Sequence, residues 1–126
     1  MTLRSPIGRA RGLGSAKEGA GDAWATIVTA VALVPLSLWF VISVIGLAGA
    51  DYATFKGWLG RPLNATLMVL TVLTVLYHSQ LGIKMVVEDY VHGAAAKVAL
   101  LIGTKLVAAF LAVCMTVSVL KVAVGV

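Results

Sequence analysis

Three long runs without charged side chains constrain this chain more than any other feature. Residues 23–50 contain no Asp, Glu, Lys or Arg, a second such run covers residues 62–83, and a third covers residues 106–120. About 20 apolar residues in a helix suffice to cross the hydrocarbon of a bilayer. We therefore predict an all-α integral membrane protein with three transmembrane helices, at about residues 23–49, 62–88 and 94–122.

The composition supports a lipid environment. The chain is 60% hydrophobic and only 12% charged, whereas a soluble domain has roughly a quarter of its residues charged. The formal net charge of +5 does not indicate nucleic-acid binding. Most of the basic residues flank the apolar runs, where Lys and Arg determine the orientation of a protein in the membrane. Three helices are also too few to enclose a cofactor, so we expect the chain to belong to a larger helical bundle with partner proteins.

The N-terminal segment is predicted to be a separate region. Residues 1–22 are Gly-rich and lack apolar periodicity, which is typical of a flexible arm, and residues 23–126 form the membrane anchor. The arm carries four basic residues, Arg4, Arg9, Arg11 and Lys17, against two in the link between the first two helices. The excess of Lys and Arg predicts a cytoplasmic N-terminus.

His78 is the most informative single residue. It is expected about 24 Å from one end of the second membrane helix and about 13 Å from the other, at a depth where ionisable groups usually pair or bind something. Three interpretations are open: a neutral imidazole hydrogen-bonded within the bundle, a metal or haem ligand, and a proton-transfer group. Gly82 lies one turn further on the same face and leaves a gap in which a flat macrocycle could approach the backbone.

No second histidine of this chain can ligate the same haem iron as His78, and Met68, Met85 and Met115 are expected to be packing residues rather than axial ligands. His92 would be about 21 Å further along the axis even if the helix continued. A six-coordinate haem therefore needs its other axial ligand from another chain. The single cysteine, Cys114, can form neither an intrachain disulfide nor a thiolate cluster.

Asp89 and Tyr90 follow His78 by about three helical turns. Three turns place Asp89 on the same face as the imidazole, with Tyr90 one step further round. A phenol can donate to a carbonyl oxygen and a carboxylate can orient it or relay protons, as quinone reduction requires. The alternative is an interfacial tyrosine anchor beside a helix-end charge. Lys105 either extends to the interface or is a counter-charge for an anionic group.

The motif His78-x-x-x-Gly82 followed by Asp89-Tyr90-Val91 resembles a known family. It is similar to the haem-ligand helix in the hydrophobic membrane anchor protein of succinate dehydrogenase, also called respiratory complex II. The segments TAVALVPLSLWF at residues 29–40 and GLGSAKEG at residues 12–19 resemble bacterial, and especially alphaproteobacterial, members. The resemblance covers most of the chain.

The resemblance implies the following roles. His78 is one axial ligand of haem b and its iron, and the cytochrome b subunit supplies the other. Tyr90 hydrogen-bonds ubiquinone near the iron-sulfur subunit, with Asp89 supporting the site. With the flavoprotein subunit, the complex would work in the bacterial inner (plasma) membrane, in respiratory electron transfer and the tricarboxylic acid cycle. The chain has no flavin or nucleotide motif of its own, so it is expected to be non-catalytic alone.

One position departs from the family pattern. Members often carry an arginine shortly before the Thr-Ala pair of the first helix, where this chain has Ile27 before Thr29. Any charge balance that such an arginine provides must come from Lys105 or from a partner. Three other functions remain open from the residues alone: a fumarate reductase anchor, a small proton-relay or transport component, and a purely structural membrane adaptor.

Overall fold

The structure, a computed structural model, is helical throughout most of the chain it describes. It describes residues 13–125, with side chains from Ala20 onward. The helices are α1 (Leu13–Gly46), α2 (Tyr52–Leu59), α3 (Pro62–Tyr90) and α4 (Ala94–Val124). Three segments are long and apolar enough to cross a membrane: Ala20–Gly46, Pro62–Tyr90 and Ala94–Val124. The predicted all-α fold with three membrane-spanning helices is confirmed.

Helix α1 begins earlier than the sequence pattern predicts. Residues 13–22 belong to the predicted flexible arm, but they form the first turns of α1; residues 1–12 lie outside the described residues. Starting a helix is costly, but each residue added to an existing helix gains one backbone hydrogen bond. The membrane helix can therefore continue into a flanking segment that has little apolar periodicity of its own. The helix also ends earlier than predicted, at Gly46.

A short helix, α2, occupies the link between the first two membrane helices, where the sequence analysis places no helix. Asp51 is its N-cap, and the Asp51 Oδ1 accepts a hydrogen bond from the backbone N–H of Thr54 at 2.9 Å. Hydrogen bonds from the side chain and the backbone of Thr54 hold the pKa of Asp51 below its ordinary value. Trp58 of α2 stacks on Trp39 of α1, with ring centroids 5.8 Å apart. This aromatic contact fixes α2 against the end of α1.

The three long helices form an open row with α3 in the middle. Helix α3 packs against α1 on one side and against α4 on the other, and no Cα atom of α1 lies within 8 Å of one in α4 over the described residues. Helix α2 contacts the ends of α3 and α4. The connections enforce this order, because Pro62 starts α3 directly after α2 and only Val91–Gly93 separates α3 from α4.

The packed interior is correspondingly small. Among the described side chains five hydrophobic residues are buried, and three of them, Val72, Leu81 and Val87, belong to α3. Helix α4 has no buried residue over its whole length. Large apolar side chains therefore face outward along α1 and α4, where lipid or other membrane-spanning protein has to cover them.

Candidate functional site

His78 lies at the contact between α3 and α1. Its Nδ1 is 2.8 Å from the Oγ1 of Thr29, which is on α1. The contact between the two side chains is part-buried. The imidazole therefore faces the neighbouring helix of the same chain, as an ionisable group at this depth usually does.

Thr29 has two further contacts on its own helix. Its Oγ1 lies 2.8 Å from the carbonyl oxygen of Ala25 and 3.1 Å from that of Thr26. Threonine hydroxyls in helices commonly donate to carbonyls three or four residues earlier. The hydroxyl is thus held between its own backbone and the imidazole of His78.

The other ring nitrogen, Nε2, has no hydrogen-bond partner among residues 20–125. A neutral imidazole binds a metal through a nitrogen that carries a lone pair, while the other nitrogen is typically hydrogen-bonded. The contact with Thr29 agrees with the interpretation of His78 as a hydrogen-bonded bundle residue. The contact uses only Nδ1, so the described residues leave Nε2 free for a ligand.

The surroundings of His78 leave room for a ligand and provide no competing metal site. A Cβ placed on Gly82 would meet nothing within 4 Å, so the predicted gap on this face is present. The described residues contain no group of three or more His, Cys, Asp and Glu side chains that could hold a metal ion. His92 follows α3 and is exposed. His92 therefore does not share a site with His78 in this structure.

Asp89 and Tyr90 end helix α3, with Tyr90 about 18 Å along its axis from His78. Tyr90 is the last residue of the helix and is 76% exposed, and Asp89 is exposed as well. Neither side chain has a hydrogen bond or ion pair within residues 20–125. The structure thus places the phenol and the carboxylate on successive exposed residues at the end of α3, open to a ligand or to another protein.

An ion pair that the sequence pattern does not predict lies between the two groups of site residues. The Nζ of Lys84 is 2.5 Å from the Oδ2 of Asp22 on α1, and 4.0 Å from the Oε1 of Glu88 one turn along α3. Asp22 belongs to the predicted flexible arm, which is why the pair is missed. The pair could have been found from the register of the two helices. Helices α1 and α3 are antiparallel and touch at Thr29 and His78, so Asp22, about two turns before Thr29, lies at the level of Lys84, about two turns after His78.

Lys105 lies on the opposite flank of α3 from Thr29. It lines a groove between α3 and α4 together with Tyr77 and Gln80, whereas His78 contacts α1. Lys105 is exposed, and no carboxylate among residues 20–125 pairs with it. The groove thus exposes a cation within an apolar span.

The comparison with protein families gives a match over nearly the whole chain. A family model described as the succinate dehydrogenase/fumarate reductase transmembrane subunit matches residues 1–122. The chain belongs to this family. The resemblance that rests on the motif around His78 is confirmed.

Two relatives of this family member are named succinate dehydrogenase hydrophobic membrane anchor subunits. The protein from Rickettsia bellii is 34% identical over 104 residues, which cover 82% of this chain and 83% of the relative. The protein from Paracoccus denitrificans is 35% identical over 101 residues, which cover 80% of this chain and 78% of the relative. Both organisms are alphaproteobacteria, as the resemblance indicated. No solved structure matches the chain.

Proposed function

We propose that the chain is the hydrophobic membrane anchor of a succinate dehydrogenase in a bacterial inner membrane, and that His78 supplies one axial ligand of haem b. The observation that carries the haem assignment is the difference between the two imidazole nitrogens. Nδ1 is held by Thr29 at 2.8 Å, and Nε2 is left to a ligand from outside residues 20–125.

The residues around His78 fit a haem by their chemistry. A neutral imidazole nitrogen is a common axial donor to haem iron, and the open space at Gly82 lets a flat ring system approach the backbone. A bound haem b would supply one-electron redox chemistry within the bilayer. The residues of this chain provide the donor nitrogen, its orientation through Thr29 and one apolar wall. The cytochrome b subunit would supply the other axial ligand.

For the quinone, we propose that Tyr90 donates a hydrogen bond to a carbonyl oxygen of ubiquinone and that Asp89 supports the site. The support is that these two polar residues follow each other at the exposed end of α3 and have no hydrogen-bond or ion-pair partner within residues 20–125. Reduction of a quinone to a quinol needs two electrons and two protons, and a phenol beside a carboxylate can deliver and replace a proton.

The proposed partners follow from what this chain lacks. It has no flavin or nucleotide motif and one cysteine, so succinate oxidation and the iron-sulfur relay belong to the flavoprotein and iron-sulfur subunits. The exposed apolar faces of α1 and α4 fit a second membrane protein and lipid. Of the two directions, we propose succinate oxidation rather than fumarate reduction, because the relatives are named succinate dehydrogenase membrane anchor subunits.

Purification of the tagged chain in mild detergent tests the proposal. We expect three further proteins to co-purify, and a b-type absorbance spectrum to develop on reduction with dithionite. A colourless chain that purifies without a flavoprotein would contradict the anchor assignment and favour a transport or proton-relay component. A four-protein complex without the b-type spectrum would contradict only the haem assignment.

A further inference from the structure

Thr29 has one hydroxyl proton and three possible partners for it. The carbonyl oxygens of Ala25 and Thr26 and the Nδ1 of His78 all lie within hydrogen-bond distance of its Oγ1. Carbonyl oxygens only accept, so a contact with them uses the hydroxyl proton. Imidazole nitrogen can accept or donate, depending on the tautomer.

Counting hydrogen bonds selects one arrangement. If the hydroxyl donates to Ala25, at 2.8 Å, its oxygen can accept from a protonated Nδ1, and both contacts are hydrogen bonds. If the hydroxyl donates to Nδ1 instead, the contact with Ala25 becomes a repulsive approach of two acceptors at 2.8 Å. In an apolar span, where unsatisfied polar groups are costly, the first arrangement is favoured.

We infer that Thr29 is a positioning residue that fixes the tautomer of His78: the Nδ1–H of His78 donates to Thr29, Thr29 donates to the carbonyl of Ala25, and Nε2 is left as the basic nitrogen. The inference deepens the proposed function and rests on it, because the free lone pair matters only if His78 is a ligand. Residues that accept the second N–H of a ligating histidine orient the ring and raise its basicity.

Two effects follow for the donor nitrogen. First, the preferred tautomer is already present before the ligand binds, so no proton has to be moved to free Nε2. Second, the hydrogen bond from the Nδ1–H of His78 to the Thr29 oxygen makes the imidazole a stronger electron donor at Nε2. A stronger donor would stabilise ferric over ferrous haem iron and lower its reduction potential. Loss of the Thr29 hydroxyl should therefore raise the reduction potential of the haem. It should also weaken haem binding, by about tenfold or more in affinity, as is typical when the hydrogen-bond partner of a ligating histidine is removed.

Thr29→Val in the purified four-protein complex tests this inference, because valine has the shape of threonine without the hydroxyl. We expect a more positive haem potential in a redox titration, an altered ferric EPR spectrum, and less haem per complex after dilution in detergent. Thr26→Val is the matched control. It removes a hydroxyl that donates to the carbonyl of Asp22 at 2.8 Å on the same helix, and no contact joins that hydroxyl to His78.

A second pair of variants separates the hydroxyl from the methyl group and remains informative if Thr29→Val does not assemble. Thr29→Ser retains the hydroxyl and Thr29→Ala does not, while both lose the methyl. We expect Thr29→Ser to keep the wild-type potential and Thr29→Ala to shift it. Equal potentials and haem contents in these two variants would overturn the inference.

His78→Ala distinguishes failure of the inference from failure of the proposed function. If His78→Ala retains the wild-type haem content, the ligand assignment itself is wrong, and the inference falls with it. If His78→Ala loses haem but Thr29→Val matches Thr26→Val in potential and haem content, only the role of Thr29 is wrong.

Discussion

At the scale of single residues, the roles proposed for His78 and Tyr90 should be separable, because the two residues lie about 18 Å apart on one helix. His78 is part-buried at a helix contact, and Tyr90 is exposed at the helix end. A substitution at either position should therefore change one property of the complex and leave the other largely intact.

His78→Ala should remove or strongly weaken haem binding, because the substitution removes the imidazole nitrogen proposed as the axial donor. The haem-to-protein ratio of the purified complex measures this. His92→Ala is the control, because this exposed histidine after α3 is not expected to ligate. Loss of haem in both variants, or in neither, would count against the assignment.

Tyr90→Phe should lower quinone reduction by about tenfold, the factor that corresponds to one lost hydrogen bond of about 1.4 kcal/mol in the transition state. Succinate oxidation by a soluble dye should be nearly unchanged, because electrons then leave before the membrane site. Tyr52→Phe is a suitable control, since Tyr52 is also exposed, at 66%, but lies at the start of α2. A parallel loss of both activities would indicate damage to the complex rather than to a quinone site.

At the scale of the helices, the ion pair between Asp22 and Lys84 joins α1 to α3 on the side of His78 toward Tyr90. The Asp22 side chain is 33% exposed and that of Lys84 20%, so solvent screening reduces the contribution to stability to about 1 kcal/mol or less.

A double-mutant cycle with Asp22→Asn and Lys84→Met should give a coupling energy of about 0.5–1 kcal/mol in the thermal stability of the complex. The same cycle with Glu88→Gln in place of Asp22→Asn should give a smaller coupling, because Glu88 is 4.0 Å from Lys84 and more exposed. A larger coupling for Glu88 than for Asp22 would contradict the packing of α1 against α3.

The sequence is sufficient to predict the membrane helices and insufficient to predict all of their ends and contacts. Charge-free runs are long and unambiguous, so the predicted ends of α3 and α4 lie within two residues of those observed. Helix α2 is missed because the link it occupies is short and contains Lys56, Gly57 and Gly60, although Asp51 at its start is a favoured N-cap residue. The start of α1 is missed because residues 13–22 contain three glycines, which disfavour a helix by propensity, whereas the adjoining membrane helix extends into this segment.

The residues of the candidate site are a prediction from the sequence, whereas their contacts come from the structure. His78 is identified by its depth, and Asp89 and Tyr90 by their helical spacing from it. The partner of His78, Thr29, is one of several threonines in α1 and α3, and nothing local distinguishes it. Its selection depends on the relative rotation and register of two helices, which are tertiary quantities that hydropathy does not encode.

At the scale of the whole molecule, the open row leaves most of the protein surface to its environment. Among the described residues of α4 none is buried, and the described side chains of α1 include one buried hydrophobic residue, Leu36. Such a chain does not form a closed bundle by itself, in agreement with the expectation that it functions inside a larger membrane complex.

The position of α3 between two helices that do not meet has an energetic consequence. Substitutions on the α1 flank and on the α4 flank, such as Thr29→Val and Ala108→Gly, should change the unfolding free energy additively within about 0.5 kcal/mol. A coupling well above that value, measured by thermal denaturation of the single and double variants, would indicate transmission through α2, which stacks on Trp39 of α1 and contacts α4. A substitution at the α1–α3 contact then needs no compensating substitution at the α3–α4 contact. The two contacts could therefore be redesigned separately.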